Sequence, residues 1–344
     1  VKVSSFFRWI GLALIFAFSG CSGATASPTP TDTPPPPSET PAPTLTPTYA
    51  PITLESAADL IDGSIQVQGA PIRMAWSGDG GWLAVLTDQA VWRIDMGDPQ
   101  ADPRSLEGAV PAGAGLAFSP DGSKLAAGGQ GVRVWNTNTG EGQALSDVAV
   151  SSMAFSADGS GLAVADPSGW ITFLDPGSGE ILKRLDVNQT LRALAFSPDG
   201  SLLATSGSDG KFWLWDLAEM RSLSAFAGVG KATRLIYSPD GVLIASASED
   251  GVVRIWFALS GKDMVQLQAH SGAALDIAFH PTELMLASAG AEGQVMVWDV
   301  ATGKPITTLA GAAGTEARAV AWSPDGVWLA GAFSDGTIRL WHVR

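Results

Sequence analysis

Between residues 191 and 226 the apolar positions arrive in four short bursts, and polar turns separate them. Leu191 to Phe196 reads as extended apolar chain and ends at Ser197-Pro198-Asp199-Gly200. Proline presets φ for the second position of a turn, aspartate suits the third, and glycine takes the left-handed position that follows. Leu202 to Thr205 predicts the next strand, Ser208-Asp209-Gly210 a tight turn, and Phe212 to Trp215 a third strand that closes on Asp216. A more polar strand follows from Arg221 to Phe226. Four short strands with turn signals about ten residues apart predict an antiparallel all-β unit.

The same phrase recurs along the chain. Its copies are Ala75-Trp76-Ser77-Gly78-Asp79-Gly80, Ala117-Phe118-Ser119-Pro120-Asp121-Gly122, Ala154-Phe155-Ser156-Ala157-Asp158-Gly159 and the copy ending at Gly200. Ile236-Tyr237-Ser238-Pro239-Asp240-Gly241, the divergent Ala278-Phe279-His280-Pro281-Thr282 and Ala321-Trp322-Ser323-Pro324-Asp325-Gly326 complete the set. From aromatic to aromatic the steps are 42, 37, 41, 41, 42 and 43 residues. A period of roughly 40 to 45 marks a four-stranded propeller blade, whereas helical repeats step by about 33 or 34. The prediction is an all-β, seven-bladed β-propeller over residues 63–344. The seventh copy stops at Trp341-His342-Val343-Arg344, after its third strand. The segment Gly63 to Gln68 has the length and alternation to supply the fourth, so the ring is expected to close with an N-terminal strand paired to the last blade, leaving no long open edge.

Several third strands end in a shared way: Val134-Trp135-Asn136, Leu214-Trp215-Asp216, Ile255-Trp256-Phe257, Val297-Trp298-Asp299 and Leu340-Trp341-His342. Blades one and three place Ile94-Asp95 and Leu174-Asp175 there. These repeats resemble the WD-repeat family. The family's Gly-His pair before the first strand is approximated only by Ala269-His270. The resemblance implies a buried network joining that His to a Ser, to an Asp in the turn before the third strand, and to the Trp. In the sixth repeat these are His270, Ser288 and Trp298, with Glu292 where Asp is usual. The fourth repeat offers Ser206, Asp209 and Trp215 and the fifth Ser246, Asp250 and Trp256, both without the His. Trp213 and Trp328 are read as core.

The first fifty residues differ in kind. Lys2 and Arg8 precede a ten-residue apolar run, Trp9 to Phe18, which is too short to span a bilayer, since that takes roughly 17 to 25 residues. Phe18-Ser19-Gly20-Cys21 resembles a bacterial lipoprotein cleavage box, with Phe18 in place of the usual leucine. The expectation is a signal peptide at 1–20 and a lipid anchor on Cys21, the sole cysteine of the chain. The plain alternative is an ordinary signal with a chance cysteine. Residues 21–51 are rich in Pro, Thr, Ser and Ala and cannot bury apolar surface, so they are expected to form an extended stalk. Such a stalk reaches up to roughly 90 Å. The expected location is outside the cytoplasmic membrane, held by lipid to its outer face or to an outer membrane.

Charge narrows the partners. The formal net charge is −14, and loss of Lys2 and Arg8 with the signal takes it to −16. Nucleic acid is not expected as a partner, because phosphate binding needs clustered positive charge. No metal-ligand spacing, Walker loop or nucleophile motif is present, so no cofactor, metal or catalytic residue is expected. The repeated Asp-Gly pairs are accounted for by turn chemistry, without the dense carboxylate spacing of a calcium loop.

One constellation stands apart. Arg73, Arg192, Arg234 and Arg318 fall near the start of first strands, with Asp276 in the sixth. In the family these strands line the central channel, and the loops leading into them form a face used for partners. Four guanidinium groups at one rim suit a carboxylate or another anion. The competing reading pairs each with an acid of a neighbouring turn, such as Asp209, Asp250 or Asp335. The four also occupy two adjacent strand positions, so a common direction is not assured. Arg133, Arg254 and Arg339, in third strands, are weaker candidates, because that position is commonly a solvated face. Loop residues Pro111, Gln189, Lys231, His270 and Glu316 complete the candidate partner surface. The expected function is a monomeric, non-enzymatic protein-binding platform displayed at the cell surface. A glycan or small-anion binding protein, or a hydrolase or lyase working at the channel mouth, is the alternative.

Overall fold

The computed structural model describes residues 52, 53, 55–57, 61–108 and 113–342. The expected signal peptide, Cys21, the stalk and Pro111 lie outside them. The described residues form seven four-stranded antiparallel sheets and no helix. Each sheet is a blade, and the innermost strands of successive blades follow one another around the ring: Pro71–Trp76, Gly115–Phe118, Ser152–Phe155, Leu191–Phe196, Ala232–Tyr237, Ala274–Phe279 and Ala317–Trp322. The seventh blade is closed by Ile61–Gln66, which pairs antiparallel with Thr337–His342. The closing strand begins two residues earlier than the sequence pattern suggested. Val67 has already left the ladder to donate to the Gly336 carbonyl (3.0 Å), and Gly69, at φ 87°, turns the chain toward blade 1.

The repeated turn is held by its own side chains. In the fourth copy Ser197 Oγ donates to Asp199 Oδ1 (2.5 Å) and accepts from the Leu202 amide (2.9 Å). Asp199 also accepts from the Ser201 amide (3.1 Å), and Gly200 closes the turn on the Ser197 carbonyl at φ 73°. The Ser–Asp bond recurs in blades 1, 2, 3, 5 and 7. Blade 6 reaches the same end with different chemistry. His280 Nδ1 accepts the amides of Thr282 (3.3 Å) and Glu283 (3.0 Å), and its ring meets Trp322 edge-on with centroids 4.7 Å apart. His280 is therefore a buried turn residue, and burial lowers its pKa.

Apolar residues of each pair of neighbouring blades fill the seam between them, so the core is a ring of seven clusters. Strands alternate their side chains between two faces, which lets each blade feed both of its seams. The third-strand tryptophans Trp135, Trp215, Trp256, Trp298 and Trp341 are buried here. The seam between blades 6 and 7 has a further occupant. Ile52 and Ala57 are fully buried in it, beside Trp322, Phe333 and Trp341. The Ile52 amide donates to the Gly326 carbonyl in the seventh Ser-Pro-Asp-Gly turn (2.8 Å), and Thr53 and Ser56 bond one another across a short turn. The chain thus enters the ring at the end that carries those turns.

Candidate functional site

At the opposite end the first strands begin, and there the ladder is irregular. In blades 1, 4, 5, 6 and 7 a register shift falls between Pro71 and Arg73, Leu191 and Ala193, Ala232 and Arg234, Ala274 and Asp276, and Ala317 and Ala319. A bulge leaves one residue without a cross-strand partner and re-aims its side chain. The residues so released are Ile72, Arg192, Thr233, Leu275 and Arg318, and all five line one cavity of about 510 Å³ at the channel mouth. The next residues along, Arg73, Arg234 and Asp276, form a second tier. The two adjacent strand positions of the arginines therefore resolve into an outer pair, Arg192 and Arg318, and an inner pair, Arg73 and Arg234.

Three of the four arginines are ion-paired, with partners other than the acids the sequence suggested. Arg192 bonds Glu249 (2.7 Å), Arg318 bonds Glu316 (2.8 Å), and Arg234 Nε sits 3.3 Å from Asp276 Oδ1. Asp209 instead accepts from the Trp213 indole, and Asp250 is held by Arg254 of its own blade. Asp335 supplies its carboxylate to the Thr337 amide. The reason is reach: those acids serve the turns between second and third strands, whereas the arginines stand on the innermost strands. Asp276 is only 2% exposed and accepts from the Val320 amide of blade 7 (3.1 Å), so it ties two blades together.

Arg73 is the exception. No carboxylate among the described residues forms an ion pair with it; its guanidinium donates to the Ile72 carbonyl (3.1 Å) and to the Thr233 carbonyl (3.4 Å). Thr233 belongs to blade 5, three blades away around a seven-membered ring, so the side chain crosses the channel. Burial pushes the Arg73 guanidinium below its ordinary range, Asp276 opposes this, and Arg234 adds to it. Lys231, 72% exposed, reaches Glu249 at 3.5 Å. The charged residues that line the cavity itself are Arg73, Arg192, Arg318 and Glu316, three cations to one carboxylate in an acidic chain.

The remaining candidates separate. His270 is buried, with Nδ1 against Glu292 and Nε2 bonded to Ser288 Oγ (2.8 Å), which also accepts the Trp298 indole N–H (3.0 Å). Glu292 thus occupies the place of the usual aspartate, and His270 is a strut of blade 6 rather than an exposed partner contact. Burial lowers the His270 pKa, and Glu292 opposes that shift. In blade 4 the indole of Trp215 bonds Thr205 Oγ1 (2.9 Å), and Ser206 Oγ has no partner. Thr205, not Ser206, shares the strand position of Ser288, because Gly207 and Gly290 align. In blade 5 Ser246 Oγ is likewise unpartnered and Trp256 packs on Phe212. Without the histidine nothing spans from that serine to Asp250. The Gln189 side chain lies against Gly207, and Glu316 is taken up by Arg318. Of the third-strand arginines, Arg254 pairs with Asp250, Arg133 donates to the Gly142 carbonyl, and Arg339 lies over Phe333.

Residues 179–216 and 303–342 match the WD domain, G-beta repeat, and residues 235–315 match the anaphase-promoting complex subunit 4 WD40 domain. Each G-beta match starts near the outer strand of one blade and ends on the third strand of the next, the same stagger that lets an N-terminal strand close the ring. Blades four to seven of this seven-bladed propeller thus carry matches to WD-repeat models. No curated protein matches it. The bulges and the arginines of the mouth lie outside the repeated turn motif.

Proposed function

We propose that this WD propeller is a non-enzymatic binding platform, displayed outside the cytoplasmic membrane on a lipid-anchored stalk, and that a protein partner docks over the channel mouth. One observation carries this reading. The mouth holds an under-neutralised arginine cluster at the end of the ring opposite to the one where the chain enters beside Ile52. The rigid seams keep the mouth pre-organised, which lowers the entropic cost of docking.

The test is a crosslinking capture from the native host, comparing intact protein with an Arg73, Arg192, Arg234 and Arg318 to Ala variant whose β-sheet spectrum is native. Capture of one partner by the intact ring and its loss from the variant is the expected result. Identical capture by both moves the docking surface elsewhere, and no capture by either overturns the platform. The lipid on Cys21 is checked by mass spectrometry of the N-terminal peptide; an unmodified cysteine removes the anchor.

A further inference from the structure

We propose that the channel mouth is a socket for a single carboxylate carried on an extended segment of polypeptide, with Arg73 as its direct partner. This rests on the platform reading and names the group that the platform admits. The first argument is charge. Three guanidinium groups and one carboxylate line the cavity of a chain whose net charge is −14, so the cavity favours an anion. The second is the state of Arg73. Its guanidinium is the one in the cluster that spends its donors on backbone carbonyls, and the 3.4 Å contact to Thr233 is at the long limit of a hydrogen bond. A carboxylate matches the planar fork with two parallel N–H···O bonds and replaces that contact.

The walls define the rest of the ligand. Pro71, Ile72, Leu191, Ala232 and Leu275 present apolar surface around the guanidinium, and about 510 Å³ admits an acidic side chain or chain terminus with its adjoining backbone. A folded domain does not enter. Charge number decides between carboxylate and phosphate. Glu249 and Glu316 stand half-exposed at the entrance, and Asp209, Asp250 and Asp335 sit in turns at the same end. A dianion meets twice the repulsion and twice the attraction of a monoanion, but its desolvation cost grows as the square of its charge, so the apolar walls favour the monoanion.

The test reads Arg73 itself. In the full-length protein, the Arg73 Nε–H resonance is followed by NMR during titration with blocked Gly-Gly-Glu-Gly-Gly, its Gln counterpart, unblocked pentaglycine and inorganic phosphate. Saturable shifts with the Glu peptide or the free C-terminus, none with Gln, and weakening by added salt are expected. Arg73→Gln, followed through Arg192 Nε–H, loses about ten-fold or more in affinity, and Arg73→Lys recovers part of it, since charge returns without the fork. Equal shifts with Glu and Gln peptides, tighter binding of phosphate, or an unchanged affinity in folded Arg73→Gln overturns the socket. The two readings fail separately. A captured partner indifferent to Arg73→Gln removes the socket and leaves the platform. Peptide binding that depends on Arg73, with no protein captured, removes the platform and leaves a small-carboxylate site.

Discussion

Truncation of Ile52 to alanine tests how the chain's entry segment is joined to the ring. Ile52 is 0% exposed, lies among residues of blades 6 and 7, and carries a backbone bond to Gly326. Removing three carbons costs about 2.4 kcal/mol at roughly 0.8 kcal/mol per methylene, and buried Ile→Ala changes run to about 2–5 kcal/mol when the cavity stays open. The upper end is not expected, because the segment has a way out. Among the described residues it is held by two buried side chains and a single backbone bond to the seventh turn, so it undocks once docking costs more than it returns, and the loss stops at the docking free energy. The expected loss is therefore about 2–3 kcal/mol. For a ring of roughly 280 residues unfolding at about 2.1 cal/mol/K per residue, 2.5 kcal/mol lowers Tm by about 4 °C. Trp322 and Trp341 belong to the same cluster, so tryptophan fluorescence in a guanidinium titration reports the seam. Hydrogen exchange over 317–342 tells local undocking from global loss. Ile52→Val, which removes one methyl group, should cost about 0.5–1.5 kcal/mol. An Ile52→Ala protein with unchanged midpoint and unchanged exchange in blade 7 would refute the claim that this segment is part of the ring.

Three other outcomes follow from the contacts. Ser288→Ala leaves His270 Nε2 and the Trp298 indole without their shared partner in a buried site, for a loss of about 2–4 kcal/mol in denaturant; a change under about 0.5 kcal/mol contradicts the network. Asp276→Ala strands the Arg234 guanidinium and the Val320 amide, for a loss of about 3 kcal/mol, and thermal unfolding measures it. Hydrogen bonds from Ser119 and Ser156 hold Asp121 and Asp158 down at about 2, against 3.8 in the unfolded chain. A depressed carboxyl pKa stabilises the fold above the unfolded value, and that contribution is lost as pH falls from 3.8 through about 2. Asp121→Asn/Asp158→Asn should thus be less stable than the parent at pH 6 and lose less on acidification across that window; parallel stability–pH curves contradict the assignment.

The ring was legible because its determinants are local. In six of the seven blades Ser, Asp and Gly with the neighbouring amides close the repeated turn within six residues, so spacing alone revealed seven blades and the closing strand. The mouth was less legible. The bulged residues Ile72, Arg192, Thr233, Leu275 and Arg318 share no side-chain type, so no pattern announces the shift that sorts the arginines into two tiers. Glu249, the acid that reaches Arg192, sits one residue before the Asp250 suggested by the turn motif. The resemblance implies a serine and so pointed to Ser206, while the alignment of Gly207 with Gly290 places Thr205 at that position. Ile52 follows a proline-rich stretch and has no periodic neighbours, and only the packed seam between blades 6 and 7 shows why it is there.

The bulges also make the mouth one-sided, and this bears on what docks. Blades 2 and 3 have shorter inner strands, Gly115–Phe118 and Ser152–Phe155, whose registers run without a shift. Of the residues lining the mouth cavity, blade 3 contributes Ser151, while every charged one comes from blades 1, 4 and 7. Arg73 leans from blade 1 toward blade 5, away from the uncharged sector. A ligand drawn to these guanidinium groups therefore sits off the ring axis, over blades 4 to 7 and 1. A sevenfold pseudo-symmetric scaffold thereby acquires a direction. The direction comes from a backbone irregularity rather than from the repeat motif, which is why divergence at the strand starts can change the partner without disturbing the turns that build the ring.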